Sequence, residues 1–177
     1  MPPTSGVLDS DYGGDTNEYK STSDFLAMLK SGSYEHVLDW HSRKQAAVSR
    51  SSCESEFIAL GQASAELLWL RGLLMELKLL TTSTTVLTVP DTAVVKVHLD
   101  SSSAKQLAEN EGYTGKTRHI GIQFYFVRDL VETGIISLTW VPSHQQLANA
   151  FTKPLDEAAF VRFKRAVMFR FEVRIVS

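Results

Sequence analysis

Cysteine is almost missing from this chain. Cys53 is the only one in 177 residues, which excludes a disulfide framework and a zinc cluster built on thiolates. A reducing compartment is the expected environment. Net charge is nearly missing too: 18 Lys and Arg stand against 20 Asp and Glu, a formal −2 at pH 7. The chain as a whole therefore lacks the basic excess of a nucleic-acid binder, although a local basic face is hidden in such a sum. Met1-Pro2-Pro3-Thr4-Ser5 lacks the basic and apolar run of a signal peptide. No uncharged apolar stretch reaches membrane-spanning length, since Glu66, Arg71 and Glu76 interrupt the richest one. There is no internal repeat. What is present, 44% hydrophobic and 21% charged residues, suits one globular domain with a sizeable core.

The longest helical pattern runs from Ser51 to Leu80. Leu60, Ala63, Leu67, Leu70, Leu74 and Leu77 recur at steps of three and four, the seam of a core-facing helix. Ser51 with Glu54 three residues later predicts a capping box at its start. One step back along the seam stands Glu56, and a carboxylate on an apolar line is costly in a dry interior. Two readings accommodate it. Glu56 lies in the second turn, where water and the helix dipole favour a negative charge, or it points at a bound cation.

Ahead of this helix, residues 6–12 read as a short strand turning at Gly13-Gly14. Asp9 and Asp11 share one face of it and Ser10 the other. Aspartate is depleted in strands, so the pair marks either a solvated edge or a metal-binding carboxylate. Ser23 to Leu29 and Val37 to Ser42, the second with Trp40, predict a hairpin across Lys30-Ser31-Gly32-Ser33. Beyond the helix, Thr81 to Thr92 with Pro90 reads as a connecting loop. Ala93 to Leu99 alternates as a strand and ends at Asp100, with Ser101-Ser102-Ser103 able to cap a short helix. Asp100 is then either part of a helix cap or a ligand-binding carboxylate at a strand's C-terminal end. Lys116, Arg118 and His119 form a small basic cluster before a helix whose buried stripe is Ile120, Phe124, Val127 and Val131, ended by Gly134. Such a cluster suits phosphate contacts or plain solvated surface. Ile135 to Val141 is a strand stopped by Pro142, and Ser143 is the expected cap of a helix carrying Leu147, Ala150 and Phe151. From Phe160 the tail mixes aromatics with Arg162, Lys164, Arg165, Arg170 and Arg174, as a packed helix or a basic face. The order of elements implies an α/β fold, a mixed central sheet flanked by helices. Asp9, Glu56 and Asp100 sit on three separate elements, and converging carboxylates suit hard divalent cations.

These segments together resemble a known family. Asp9-Ser10-Asp11-Tyr12-Gly13-Gly14-Asp15 with Lys20-Ser21-Thr22-Ser23 is similar to S-D-A-D-W-x-G-D…K-S-T-S. Ser42-Arg43-Lys44-Gln45 and Ser51-Ser52-Cys53-Glu54-Ser55-Glu56-Phe57 are similar to S-x-K-Q…S-S-T-E-A-E-Y. Asp100-Ser101-Ser102-Ser103-Ala104 resembles D-N-x-S-A, and Lys116-Thr117-Arg118-His119-Ile120 resembles R-T-K-H-I. Trp140-Val141-Pro142-Ser143 and Gln146-Leu147-Ala148-Asn149-Ala150-Phe151-Thr152-Lys153-Pro154-Leu155 are similar to V-P-x…Q-L-A-D-x-F-T-K-P-L. In this order, over about residues 6–165, they resemble the ribonuclease H domain of the Pol polyprotein of copia-type long-terminal-repeat retrotransposons.

The resemblance implies a ribonuclease H-like fold over residues 6–155, after a tail at 1–5 and before a helix or tail at 156–177. It implies hydrolysis of the RNA strand of RNA–DNA hybrids by four carboxylates around two Mg2+ ions, with Mn2+ as a substitute. By motif position Asp9, Glu56 and Asp100 are the expected metal ligands, and Asn149 takes the fourth catalytic place. Lys116, Arg118 and His119 are the expected nucleic-acid contacts. Expected partners are the hybrid and the reverse transcriptase portion of a parent polyprotein, with no membrane. The expected location is intracellular, in a cytoplasmic virus-like particle or the nucleus. A metal partner then accounts for Glu56 better than a frayed helix start.

The sequence departs from the pattern at several points. Asn149 replaces the fourth carboxylate; its carbonyl can coordinate, but it supplies no charge and no general base, so a second ion is expected to bind more weakly. Gly121 stands where the family has an acid, and Asp24 where glycine follows K-S-T-S. Met28 to Asp39 is longer and more polar than the family's turn. His144 matches either a flexible active-site histidine or a surface residue beside a cap, and a role for Asp11 stays open. Polymerase, integrase and protease parts are not in the chain, which reads as a fragment or as a short reading frame left by a decayed element. The alternatives to a working hydrolase are a silent relic that binds hybrids or other partners, and a remnant without selected function.

Overall fold

In the computed structural model the described residues are 4–31, 34–77, 94–110, 121–152 and 154–168. Three strands open the chain: β1 (Thr4–Asp11), β2 (Thr22–Ser31) and β3 (Tyr34–Lys44). Helix α1 (Ser52–Glu76) follows, then β4 (Val95–Leu99), α2 (Ser102–Glu109), α3 (Gly121–Glu132) and β5 (Ile136–Trp140). A 3-10 turn at Ser143–Gln145 and the short helix α4 (Asn149–Thr152) precede α5 (Glu157–Val167). β1 starts at Thr4, inside the stretch expected as a tail, because the backbones of Thr4 and Ser5 pair with Leu29 and Met28 of β2. Among the described residues no helix is long and apolar enough to cross a membrane.

The five strands lie in the order β3-β2-β1-β4-β5. β1, β2 and β3 form an antiparallel meander, while β4 and β5 run parallel to β1. Period-two alternation gives the sheet two buried faces. Leu8, Phe25 and Ala27 face α1 and α3, against Phe57, Leu60, Ala63, Leu67, Phe124 and Val127. Val7, Leu26 and Met28 face the other way, against Ala148, Leu147, Phe151 and Val167. α1 lies so close to β1 that a side chain on Gly6 would meet Leu67 at 2.6 Å.

The expected seam of α1 holds as far as Leu74. Leu77 is 58% exposed and forms the C-cap, since by then the helix has run past the sheet. Ser51 caps α1 by accepting from the backbone N–H of Glu54, but the Glu54 carboxylate reaches Arg50 rather than Ser51, so only half of the capping box forms. The stripe of α3 is Phe124, Val127 and Leu130, with Val131 half-buried beside it, and Gly134 ends the helix at φ +69°. After β5, the helix expected at Ser143 is interrupted. A 3-10 turn and a single turn of α4 take its place, both too short to bury a stripe of their own. In the tail, α5 packs on β3, with Phe163 edge-on to Phe151 and Phe151 stacked on Trp40.

Candidate metal centre

β1 and β4 are parallel neighbours, and the pairing of Val7 with His98, continued by two residues, sets Asp9 beside Asp100. Asp9 is 1% exposed at the end of β1; Asp100 follows the last residue of β4. Asp100 is not the cap of α2: Ser101 is, its hydroxyl accepting from the backbone N–H of Ala104 at 3.2 Å. Glu56 joins them from α1. One carboxylate oxygen from each of Asp9, Glu56 and Asp100 lies within 4.8 Å of the others.

The electrostatics of this group are unfavourable as it stands. Glu56 is 8% exposed, its Oε1 accepts from the backbone N–H of Ser10 at 3.2 Å, and its Oε2 is buried without a hydrogen bond. Burial first, then the charges of Asp9 and Asp100, push the Glu56 carboxyl up to about 8, only partly offset by Ser10. A buried, unpartnered oxygen among three hard donors is what a divalent cation satisfies. The residues fit such an ion.

Two polar networks hold the carboxylates. At the start of α1, the Gln45 amide donates to the Ser55 carbonyl and to the Ser23 hydroxyl, each at 2.9 Å, and accepts from Ser49 at 2.8 Å. The hydroxyls of Ser10 and Ser55 meet at 2.7 Å, tying α1 to β1 one residue before Glu56. After β5, the Gln146 amide donates to the Leu8 carbonyl at 2.7 Å. The Ser143 hydroxyl donates to Asp100 at 2.6 Å, and the Thr152 hydroxyl donates to Asp9 at 2.8 Å. Ser143, expected as a helix cap, is thus spent on Asp100, and Pro142 takes the cap position of the 3-10 turn without a side-chain bond.

Asn149 lies on α4 beside these contacts. Its amide donates to the Ser143 carbonyl at 2.7 Å, and its Oδ1 is buried without a hydrogen bond. Asp11, at the very end of β1, is outside the three-carboxylate group, and His144 is exposed on the 3-10 turn. Lys116, Arg118 and His119 lie outside the described residues. Sequence reasoning missed Ser10, Ser49, Ser55 and Thr152 as supports. Small hydroxyls show no periodicity, and their partners are remote in the chain.

No protein-family profile matches the chain. It is 33% identical over 159 residues to the "Retrovirus-related Pol polyprotein from transposon RE2" of Arabidopsis thaliana, covering 90% of this chain and 10% of that protein. It is 27% identical over 166 residues to the corresponding protein of transposon TNT 1-94 of Nicotiana tabacum, covering 94% of this chain and 11% of that one. The relatives that match about nine-tenths of this chain are retrotransposon Pol polyproteins. The chain spans about a tenth of the length of these curated relatives. Among solved structures it is similar to the N-terminal RNase H domain of a Mycobacterium tuberculosis protein, with a TM-score of 0.55 at 12% identity over 92% of this chain and 99% of that one. An RNase H1 isolated from compost gives 0.51 at 15% identity, over 85% and 92%. The fold is therefore ribonuclease H-like, as its mixed five-stranded sheet and helices already indicate.

Proposed function

We propose that this chain is a metal-dependent ribonuclease H-type domain of a copia-type Pol polyprotein, hydrolysing the RNA strand of RNA–DNA hybrids. One observation carries the reading: Asp9, Glu56 and Asp100 converge within 4.8 Å in a ribonuclease H-like fold, with a Glu56 oxygen buried and unpartnered. These three residues would hold Mg2+, with Mn2+ as a substitute. When bound, such ions stabilise phosphoryl charge and lower the pKa of water.

The chain's own residues do the rest. Ser10 holds Glu56, Thr152 orients Asp9, and Ser143 orients Asp100, so each carboxylate arrives with one oxygen already fixed. Asn149 offers a carbonyl oxygen but cannot take a proton from water. Hybrid recognition in this reading is by duplex shape and 2′-hydroxyl contacts, with Lys116, Arg118 and His119 on phosphate. A reverse transcriptase portion of a parent polyprotein is the natural partner.

Asn149 also favours a second reading, a scaffold that keeps the fold and the hybrid site but has lost turnover. Cleavage of a labelled RNA–DNA hybrid in Mg2+ and in Mn2+ decides between them. The first reading expects cleavage by the natural chain that Asp100→Asn abolishes. Cleavage only after Asn149→Asp establishes the second.

A further inference from the structure

We infer that the exposed indole of Trp140 packs against the sugar face of the nucleic-acid substrate, beside the metal centre. Of the three carboxylates, Asp9 and Glu56 are 1% and 8% exposed, and only Asp100 is not buried. A substrate phosphate therefore reaches the group from the Asp100 side, and Trp140 stands there. β5 lies next to β4, Trp140 pairs with Leu99, and the Val141 backbone N–H donates to the Leu99 carbonyl at 2.9 Å. The indole Nε1–H donates to the backbone carbonyl of Asp100 at 2.9 Å, which fixes one edge of the ring to a metal-ligand residue.

Ile136 and Leu138, on the same face of β5, turn into the core that α2 and α3 cover. Trp140, two residues on, has passed the end of that core and is 50% exposed. Its one polar atom is spent on Asp100, so the rest of the exposed side chain is aromatic carbon. Ser102 and Ser143, the neighbours of Asp100, are also exposed, and neither carries charge. This edge therefore offers a polyanion apolar surface and hydroxyls instead of cations, in keeping with a chain of net charge −2. The bases of a duplex are stacked on one another and closed to a protein ring. Its sugars are open along the wide, shallow minor groove of an A-like helix, and a flat ring held at one edge packs on their C–H faces.

The inference rests on the hybrid-nuclease reading above, and binding measurements separate the two. Affinity for a labelled RNA–DNA hybrid is read by fluorescence anisotropy in Ca2+, with the RNA strand checked afterwards for cleavage. Trp140→Leu is expected to weaken hybrid binding about tenfold, the loss of one aromatic contact, and to raise KM far more than it lowers kcat. Trp140→Phe keeps a ring and drops the indole N–H, so it is expected to retain most of the affinity. Mn2+ affinity, followed by the electron paramagnetic resonance signal of free Mn2+, should be the same in all three proteins. A Trp140→Phe chain as impaired as Trp140→Leu, or a fall in Mn2+ affinity in both, means that Trp140 acts through Asp100 and overturns the contact. If Trp140→Leu fails to fold, Trp140→Met is read in the same way. With Trp40→Phe and Trp69→Phe in place, Trp140 is the one remaining tryptophan, and hybrid should quench its fluorescence. Single strands that quench it as strongly as the hybrid overturn the duplex contact. Quenching by the hybrid with no cleavage by the natural chain supports Trp140 and overturns the nuclease reading. Cleavage with unchanged fluorescence, and a KM indifferent to Trp140→Leu, overturns Trp140 alone. A natural chain that neither binds nor cleaves the hybrid overturns both.

Discussion

Glu56 carries opposite consequences for stability and for metal binding. Its folded pKa of about 8 lies above the ordinary 4.5. Between those values the folded chain holds a proton that the unfolded chain has released, so stability falls as pH rises through that window. The contribution is fully retained below about pH 4.5 and lost above about pH 8, an offset on the order of 4–5 kcal/mol from this group. Urea unfolding in chelator at pH 5, 7 and 9 should show this decline, and Glu56→Gln should flatten it. The same variant should melt higher than the natural chain at pH 8 without metal, yet gain little from Mn2+. A Glu56→Gln protein that is less stable at pH 8 in chelator would contradict the repulsion inferred for this cluster.

At the scale of elements, the start of α1 is held by polar contacts as well as by its apolar seam. Gln45 is buried and makes three side-chain bonds, to Ser23, Ser49 and Ser55. Gln45→Ala leaves buried groups unpaired and is expected to cost about 2–3 kcal/mol in urea melts. It should also weaken Mn2+ binding although Gln45 touches none of the three carboxylates, because Ser55 and Glu56 shift with the helix end. On the other face, Phe151 stacks on Trp40 at 5.4 Å and meets Phe163 edge-on at 5.5 Å. These rings are what fastens the single turn of α4, which is too short to hold itself. Phe151→Ala is expected to cost roughly 2–4 kcal/mol and to loosen Thr152 from Asp9. Denaturant melts give the first effect; a lower Mn2+ affinity in the folded variant gives the second.

For the whole molecule, the site exists only once the sheet has closed. β1 must pair with β4, and α1 must cross the sheet, before Asp9, Asp100 and Glu56 meet. A cation that binds this arrangement and not the unfolded chain stabilises the entire fold. At a hundredfold excess over its Kd the gain is about 2.7 kcal/mol, or roughly 5–10 °C in Tm. Differential scanning calorimetry with and without saturating Mn2+ should show that rise in the natural chain and lose most of it in Asp100→Asn. An equal rise in Asp100→Asn would place the binding elsewhere.

The sequence by itself determined what depends on neighbours a few residues away. The periods of β1, α1 and β4, the caps at Ser51 and Ser101, and the stop at Gly134 all follow from local geometry. Asp9, Glu56 and Asp100 stood out because each is a carboxylate where an isolated element gives it little reason to be. The tertiary structure alone decided which groups answer one another. Ser143 looks like a cap until Asp100, at the end of another strand, claims its hydroxyl. Gln45 and Thr152 look like ordinary polar residues until Ser55 and Asp9 come within reach. Hydrogen bonds and carboxylate repulsion act over a few ångströms of space, and contact order along the chain does not reveal that distance before the sheet has formed.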